Sequence, residues 1–181
     1  MGERVVTIRG IHHLTAIARN AQTTVDFYTQ TLGLRLVKRT VNFDNPKAPH
    51  LYFGVGGGAP GTIITYFAYP RGIFPRGVLG AGMTHHFAFE VGSDDAQLEW
   101  RDRLQSAGVL VSPVQDRQYF RSIYFRDPDG HILEIATTGP GFQVDEPAES
   151  LGTALKLPTW LERDRADIEG LLTPLRLATV G

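Results

Sequence analysis

The chain has 181 residues, of which 42% are hydrophobic and 20% are charged, and its formal net charge is -1 at pH 7. This composition predicts a folded domain rather than a disordered or fibrous chain, and the near-zero charge argues against nucleic acids and anionic membrane surfaces as partners. The absence of cysteine excludes disulfides, thiolate metal ligands and a cysteine nucleophile.

No run of about 18 apolar residues occurs, and the N-terminal MGERVVTIRG lacks the apolar segment of a secretion signal. We therefore expect a cytoplasmic protein that contacts neither membrane nor nucleic acid.

A first βαβββ module is predicted over residues 1–70. Its first strand spans 6–18, and Asn20 has the residue type of an N-cap for a helix that ends at Gly33. Three strand-like segments then follow, with sequences LRLVKR, HLYFGV and GTIITYF.

Residues 71–82 are rich in glycine and proline and predict a linker. A second βαβββ module is predicted over 83–138. It begins with the strand HHFAFEV, and Ser93 then precedes a helix that ends at Gly108. The segments VLVSPV, SIYFR and HILEIAT complete it.

Residues 139–181 predict a C-terminal extension, first a loop and then a helix. The helix is predicted from TWLERDRADIEGLL, in which Thr159 and Glu162 have the spacing of a capping box. The fold class expected from this order of elements is α+β.

The two modules open with near-copies of one sequence, IHHLTAIARN at 11–20 and THHFAFEVGS at 84–93. Successive strand residues point to opposite faces, so His13 and Thr15 share one face and His12 lies on the other. One histidine of each pair can therefore face a common site.

The segment RDPDGHILE predicts a hairpin with a three-residue loop that closes on Asp127 and His131. Counting inward from this closing pair places Tyr124 across from Glu134. When Gly61 of the first module is aligned with Gly130 of the second, Thr65 takes the position of Glu134, so only one module supplies a carboxylate.

Two histidines and one carboxylate form a ligand set that suits Fe(II) and leaves coordination positions open. The alternative is that these histidines are ordinary packed or surface residues. Arg117 could bind an anionic oxygen or form a surface ion pair, and Tyr124 could be a core aromatic residue.

Three stretches, GIHHLT, DFYTQTLGLRLVKRTVNFD and DPDGHILEIA, resemble the vicinal oxygen chelate superfamily, which includes glyoxalases, bleomycin resistance proteins and extradiol dioxygenases. This resemblance implies two βαβββ modules that form a cupped mixed sheet around a metal. The segments VKRTVNFDNPKAPHLYFG, PGTIITYF, QDRQYFRSIYFRDPDG and GPGFQVDEPAESLG are most similar to ring-cleaving hydroquinone dioxygenases. The better-known members carry four modules, of which this chain has the first and last.

The resemblance also implies roles for individual residues. The metal ligands are His13, His86 and Glu134, and the metal is Fe(II), with manganese or another divalent ion as the alternative. The catalytic residues are Tyr124 and His85, and the substrate-binding residues are Arg117, Thr15 and His12. A homodimer is expected, because duplicated open sheets leave edges and concave faces to cover.

The function predicted in this way is Fe(II)-dependent, extradiol-type ring cleavage of a hydroquinone or catechol by O2. One alternative is a glyoxalase-like isomerase, which ordinarily uses two His and two Glu and is disfavoured by Thr65. The others are a fosfomycin-resistance-type metalloenzyme, with two His and one Glu, and a metal-free binding module of the same fold.

Overall fold

Two four-stranded sheets carry the fold, one from each βαβββ module. The structure, a computed structural model, describes residues 7–70 and 73–176. Parts of three predicted segments lie outside the described residues: Val6 of the first strand, 71–72 of the linker and 177–181 of the C-terminal extension. The predicted α+β class and the two modules are confirmed.

The first module has a mixed sheet with the strand order β1-β4-β3-β2. Strands β1 and β4 pair in parallel, and the other neighbours are antiparallel. Its elements are β1 (His13–Ala18), α1 (Ala21–Asp26), a π-helical turn (Phe27–Thr31), β2 (Arg35–Asn42), β3 (Asn45–Gly54) and β4 (Ile63–Ala68).

The predicted ends of the first helix are confirmed. The side chain of Asn20 accepts a hydrogen bond from the backbone N–H of Thr23 at 3.0 Å, which satisfies one of the free donors at the helix start. After the π-helical turn, Gly33 has a φ of +70°, a conformation that glycine adopts without steric cost. The predicted first strand was too long, because β1 begins only at His13.

The second module has the strand order β5-β8-β7-β6. The hydroxyl of Ser93 accepts the N–H of Ala96 at 3.2 Å, and Gly108 has a φ of +76°, so both predicted helix ends are confirmed. The elements are β5 (Phe87–Val91), α2 (Asp94–Ser106), β6 (Gln115–Asp116), β7 (Arg121–Arg126) and β8 (Ile132–Thr137).

The strand predicted for VLVSPV is wrong, since β6 has only two residues and follows that segment. Pro113 has no N–H to donate to a neighbouring strand. The hydroxyl of Ser112, rather than a backbone carbonyl, accepts the N–H of Tyr124 at 2.9 Å. A hydrogen bond to a side chain therefore replaces one backbone hydrogen bond of the expected strand pairing.

The hairpin between β7 and β8 closes as predicted. The N–H of Asp127 donates to the carbonyl of His131 at 3.1 Å, and Gly130 has a φ of +96°. One carboxylate oxygen of Asp127 also accepts the N–H groups of the next turn, those of Asp129, Gly130 and His131. These bonds make the turn rigid.

In its described residues, the C-terminal extension has three 3-10 turns, at Phe142–Val144, Ala148–Ser150 and Glu162–Asp164, and a short helix α3 at Arg165–Leu171. The capping box predicted at Thr159 is wrong, because α3 begins six residues later. Glu162 instead binds the guanidinium of Arg165 at 2.7 and 2.8 Å.

Contacts divide the chain into two compact units. The first contains the described residues up to 87, together with 103–110 and 126–133, and the second contains the rest. Each has its own buried residues: Tyr28, Phe53, Tyr66, Leu104 and Leu133 in the first, and Gln97, Ser122, Ile123 and Glu134 in the second. The predicted domain bounds stay a prediction. Within the described residues, no helix is long and apolar enough to cross a membrane.

Candidate functional site

The two histidine pairs have the same local geometry. The Nδ1 atoms of His12 and His13 lie 3.0 Å apart, and those of His85 and His86 lie 2.8 Å apart. The rings meet edge-on, at 87° and 88°. A bond between two Nδ1 atoms needs one donor and one acceptor, so a neutral donor ring carries its lone pair on Nε2. Each pair can thus present one nitrogen to a metal.

The β1 strand shows the predicted alternation of faces. Ala16 and Ala18 are buried, whereas His13, Thr15 and Ile17 are exposed. His13 is the first residue of β1 and shares the open face with Thr15. His86, unlike His13, is not part of a strand, because it lies immediately before β5.

Glu134 lies in the interior of the second unit, with 2% of its surface exposed. The hydroxyl of Ser122, which is fully buried, donates a hydrogen bond to its carboxylate. A buried carboxylate requires such partners. The sequence analysis missed Ser122, although its position two residues before Tyr124 places both side chains on one face of β7.

Thr65, the counterpart of Glu134, is also fully buried and joins a hydrogen-bonded chain. Its hydroxyl lies 2.9 Å from Nε2 of His50 and donates to the hydroxyl of Thr15 at 2.9 Å. The His50 ring packs against Tyr52 and Phe67, with centroid distances of 4.1 and 4.2 Å. Thr15 is therefore held by Thr65, which in turn pairs with His50, a buried histidine that the sequence analysis also missed.

Burial lowers the pKa of His50, and the nearby His13 lowers it further. Both effects disfavour a positive charge on the ring. Because the Thr65 hydroxyl donates its single proton to Thr15, a neutral His50 pairs with Thr65 by donating its Nε2–H.

Arg117 and Tyr124, both predicted site residues, lie together. Nε of Arg117 donates to the Tyr124 hydroxyl oxygen at 3.1 Å, and the guanidinium carbon is 5.2 Å from the ring centroid. The next residue, Gln118, has a φ of +67°, which is uncommon outside glycine. Its side chain donates to Asp145 at 2.8 Å, which holds this loop in place.

The predicted metal ligands belong to different units, His13 and His86 to the first and Glu134 to the second. Among the described residues, no group of three or more His, Asp or Glu side chains is close enough to hold a metal ion. The chemistry of the donors nevertheless fits a divalent cation, because each histidine pair has a nitrogen to offer and Glu134 is a buried carboxylate.

The chain is similar to several proteins of known class. A relative from Bacillus subtilis named "Putative ring-cleaving dioxygenase MhqO" is 28% identical over 302 aligned residues, covering 93% of this chain and 97% of the relative. Since that alignment is much longer than this 181-residue chain, the relative carries a long segment with no counterpart here.

A chlorohydroquinone/hydroquinone 1,2-dioxygenase from Sphingobium indicum is 33% identical over 140 residues, covering 77% of this chain and 40% of that enzyme. The crystal structure of a dioxygenase described as putative, also from Bacillus subtilis, matches with a TM-score of 0.55 at 28% identity. It covers 92% of this chain and 97% of that structure. These matches support an enzyme of the dioxygenase kind.

The family model described as "Glyoxalase/Bleomycin resistance protein/Dioxygenase superfamily" matches residues 10–135, which include both histidine pairs and Glu134. The predicted resemblance is therefore confirmed, and the chain belongs to this superfamily.

Proposed function

We propose that the protein is an Fe(II)-dependent, extradiol-type dioxygenase that cleaves the ring of a hydroquinone or catechol with O2. The observation that carries this proposal is the duplicated histidine pair combined with one buried carboxylate, Glu134, whose counterpart is Thr65. The names of the relatives support the same reaction class. A glyoxalase-like isomerase is less favoured, because Thr65 cannot serve as a second carboxylate.

We further propose that His13, His86 and Glu134 are the metal ligands. When bound, Fe(II) would supply open coordination positions and one-electron chemistry, since two histidines and one carboxylate leave part of its coordination shell free. Manganese or another divalent ion is the alternative cofactor. In each pair the ligand histidine would donate Nδ1–H to its neighbour, which fixes the ring and its tautomer.

The remaining residues act on the substrate directly. Tyr124 or His85 would move the proton that a diphenol loses on binding. The Tyr124 oxygen accepts from Arg117, and its O–H would donate to a substrate oxygen. Arg117 would also stabilise negative charge on that oxygen. Thr15 and His12 would contact the ring from the first module.

The assembly proposed is a homodimer. Mixing two inactive variants, His13→Ala and Glu134→Ala, tests whether subunits share a site. If the ligands come from two subunits, mixed dimers regain activity. Dimers that stay inactive after verified subunit exchange would assign all three ligands to one subunit.

The function is tested by metal analysis, anaerobic Fe(II) loading and oxygen uptake with a panel of hydroquinones and catechols. We expect about one iron per chain and uptake with at least one diphenol. Stoichiometric iron without uptake would reject the dioxygenase.

A matched pair of variants tests the ligand assignment. Glu134→Ala should abolish iron retention, whereas Glu99→Ala, at an exposed position of α2, should not. Unchanged iron in Glu134→Ala would reject Glu134 as a ligand.

A further inference from the structure

We propose a second binding site, in a cavity of about 570 Å³ beside β1, for a small anion with an aromatic body. The residues that form the argument are Ile17, Arg19, Phe74, Arg76, Met83 and His131, all lining the cavity. None of the proposed metal ligands is among the described lining residues, although Thr15, which is proposed above to contact the substrate, also lines the cavity. Arg76 and His131, which carry the argument, have no part in the proposed function. All of the lining residues belong to the first unit.

The first polar group of the cavity is His131, which is oriented by Asp127. Nδ1 of His131 lies 2.8 Å from Oδ2 of Asp127, whose side chain is 3% exposed. Tyr28 donates to the same oxygen at 3.1 Å. Because Nδ1 faces the carboxylate, Nε2 is the nitrogen of His131 left for a ligand.

The ring of His131 is also held from its sides. It packs against Tyr66 and Phe87, with centroid distances of 5.7 and 5.8 Å. Its side chain is 26% exposed. A histidine that is held by a buried carboxylate and two aromatic rings, and still reaches a cavity, is positioned to bind a ligand.

The second polar group is Arg76, which lies against the same turn. Its guanidinium is so close to Gly130 that a Cβ on that glycine would be 2.8 Å from Nη2. Gly130 directly precedes His131, and both Arg76 and His131 line the cavity. No described residue forms a hydrogen bond or ion pair with Arg76, whereas Arg19 is paired with Asp129 at 2.6 Å. Arg76 is therefore the cation available to an anionic ligand.

The rest of the lining is mainly apolar. Ile17, Phe74 and Met83 line the cavity although 44%, 44% and 61% of their surfaces are exposed. Phe74 is held edge-on against Tyr69 at a centroid distance of 4.9 Å. An apolar wall beside one cationic end suits a planar ring with one anionic oxygen group, which describes both phenolates and aromatic carboxylates.

The test uses 4-nitrophenol, whose ionised form absorbs visible light, with iron-free protein at a pH where most free probe is neutral. We expect saturable binding at or below about 1 mM, with a rise in the phenolate absorbance. Benzoate should compete if the cavity accepts carboxylates as well. If benzoate does not compete, the site is restricted to phenolates. If neither 4-nitrophenol nor benzoate binds saturably, the proposed site is rejected.

Two variants and one control assign the binding to this cavity. Arg76→Gln removes the cation. His131→Asn keeps a donor for Asp127 but removes Nε2. Each change should weaken probe binding about tenfold or more, as expected for the loss of a charged hydrogen bond. Arg39→Gln, on an exposed position of β2, should leave binding unchanged. Equal binding by wild type, Arg76→Gln and His131→Asn would overturn the proposal.

Failure of the second site can be distinguished from failure of the proposed dioxygenase activity. If binding requires iron or is lost in Glu134→Ala while Arg76→Gln binds normally, the probe occupies the proposed metal site and the second site is rejected. If iron-free protein binds the probe through Arg76 and His131 but no diphenol supports oxygen uptake, the second site stands and the dioxygenase fails.

Discussion

Ser122 donates a hydrogen bond to the carboxylate of Glu134, and both side chains are buried in the second unit. A carboxylate with one oxygen already fixed by a hydroxyl has a defined orientation before any cation arrives. Partners of this kind set the position and basicity of a metal ligand. The relationship therefore makes Ser122 a positioning residue for the proposed metal.

Ser122→Ala should weaken Fe(II) binding about tenfold to a hundredfold, the usual effect of removing a hydrogen bond from a metal ligand. Competition with a calibrated chelator measures this affinity. Ser150→Ala, which removes only a hydrogen bond to Pro147 in an exposed turn, is the matched control. Equal affinities for the two variants would show that the Ser122 hydroxyl has no part in metal binding.

Local chemistry predicted much of the fold. Asn20, Ser93, Gly108 and Gly130 act as expected, because caps and tight turns depend on residue types only a few positions apart. The VLVSPV segment is not a strand for a related reason, since Pro113 has no N–H to donate to the ladder.

The partners of the candidate site were harder to predict. Ser122 and His50 gain significance only through hydrogen bonds to Glu134 and Thr65, which lie 12 and 15 residues away on neighbouring strands. A lone serine or histidine in a strand carries no such signal, because strand register and burial decide which groups meet. The repeat located Glu134 and Thr65, and the structure was needed to find what surrounds them.

His50 should make stability depend on pH. Burial, and then the neighbouring His13, lower the pKa of His50 in the folded state, whereas in the unfolded chain this pKa is about 6.5. Between these two pKa values the unfolded chain binds the extra proton, so the free energy of unfolding falls as the pH drops below about 6.5 and levels off below the folded pKa.

Urea titrations at about pH 7.5 and about pH 5.5, on either side of the ordinary histidine pKa, measure this effect. His50→Phe keeps a ring between Tyr52 and Phe67 and should show a smaller loss of stability on acidification. His12→Phe, at an exposed position, should behave as wild type does. Identical losses in wild type and His50→Phe would contradict the lowered pKa.

Tyr28 and Tyr66 should be energetically coupled. Their hydroxyls share a hydrogen bond in the core, Tyr28 also donates to Asp127, and burial is the main cause that raises the pKa of both phenols. Tyr28→Phe removes the buried partner of the Tyr66 hydroxyl and one of several hydrogen bonds to Asp127, and should cost about 1 to 3 kcal/mol of unfolding free energy.

The double variant Tyr28→Phe/Tyr66→Phe should lose less unfolding free energy than the sum of the losses in the two single variants, because each single change already breaks the shared bond. Urea denaturation of the wild type, the two single variants and the double variant measures this coupling energy. Tyr52→Phe is the control, since its hydroxyl forms no hydrogen bond with the described residues. Strict additivity would mean that the shared bond contributes nothing.

Arg117 and Tyr124 provide the sharpest test of the proposed chemistry. If Tyr124 moves the substrate proton, Tyr124→Phe should lower kcat about a hundredfold or more and change KM little, because the ring still packs but the proton carrier is gone. If His85 moves the proton, His85→Asn should have that effect and Tyr124→Phe should not.

Arg117→Lys separates the charge of Arg117 from its hydrogen-bond geometry, since lysine keeps the cation but lacks the Nε–H that reaches the phenol oxygen. A kcat lowered in Arg117→Lys and Tyr124→Phe alike, with no further loss in the double variant, would show that Arg117 acts through Tyr124. Independent losses that multiply would show instead that Arg117 binds the substrate oxygen directly.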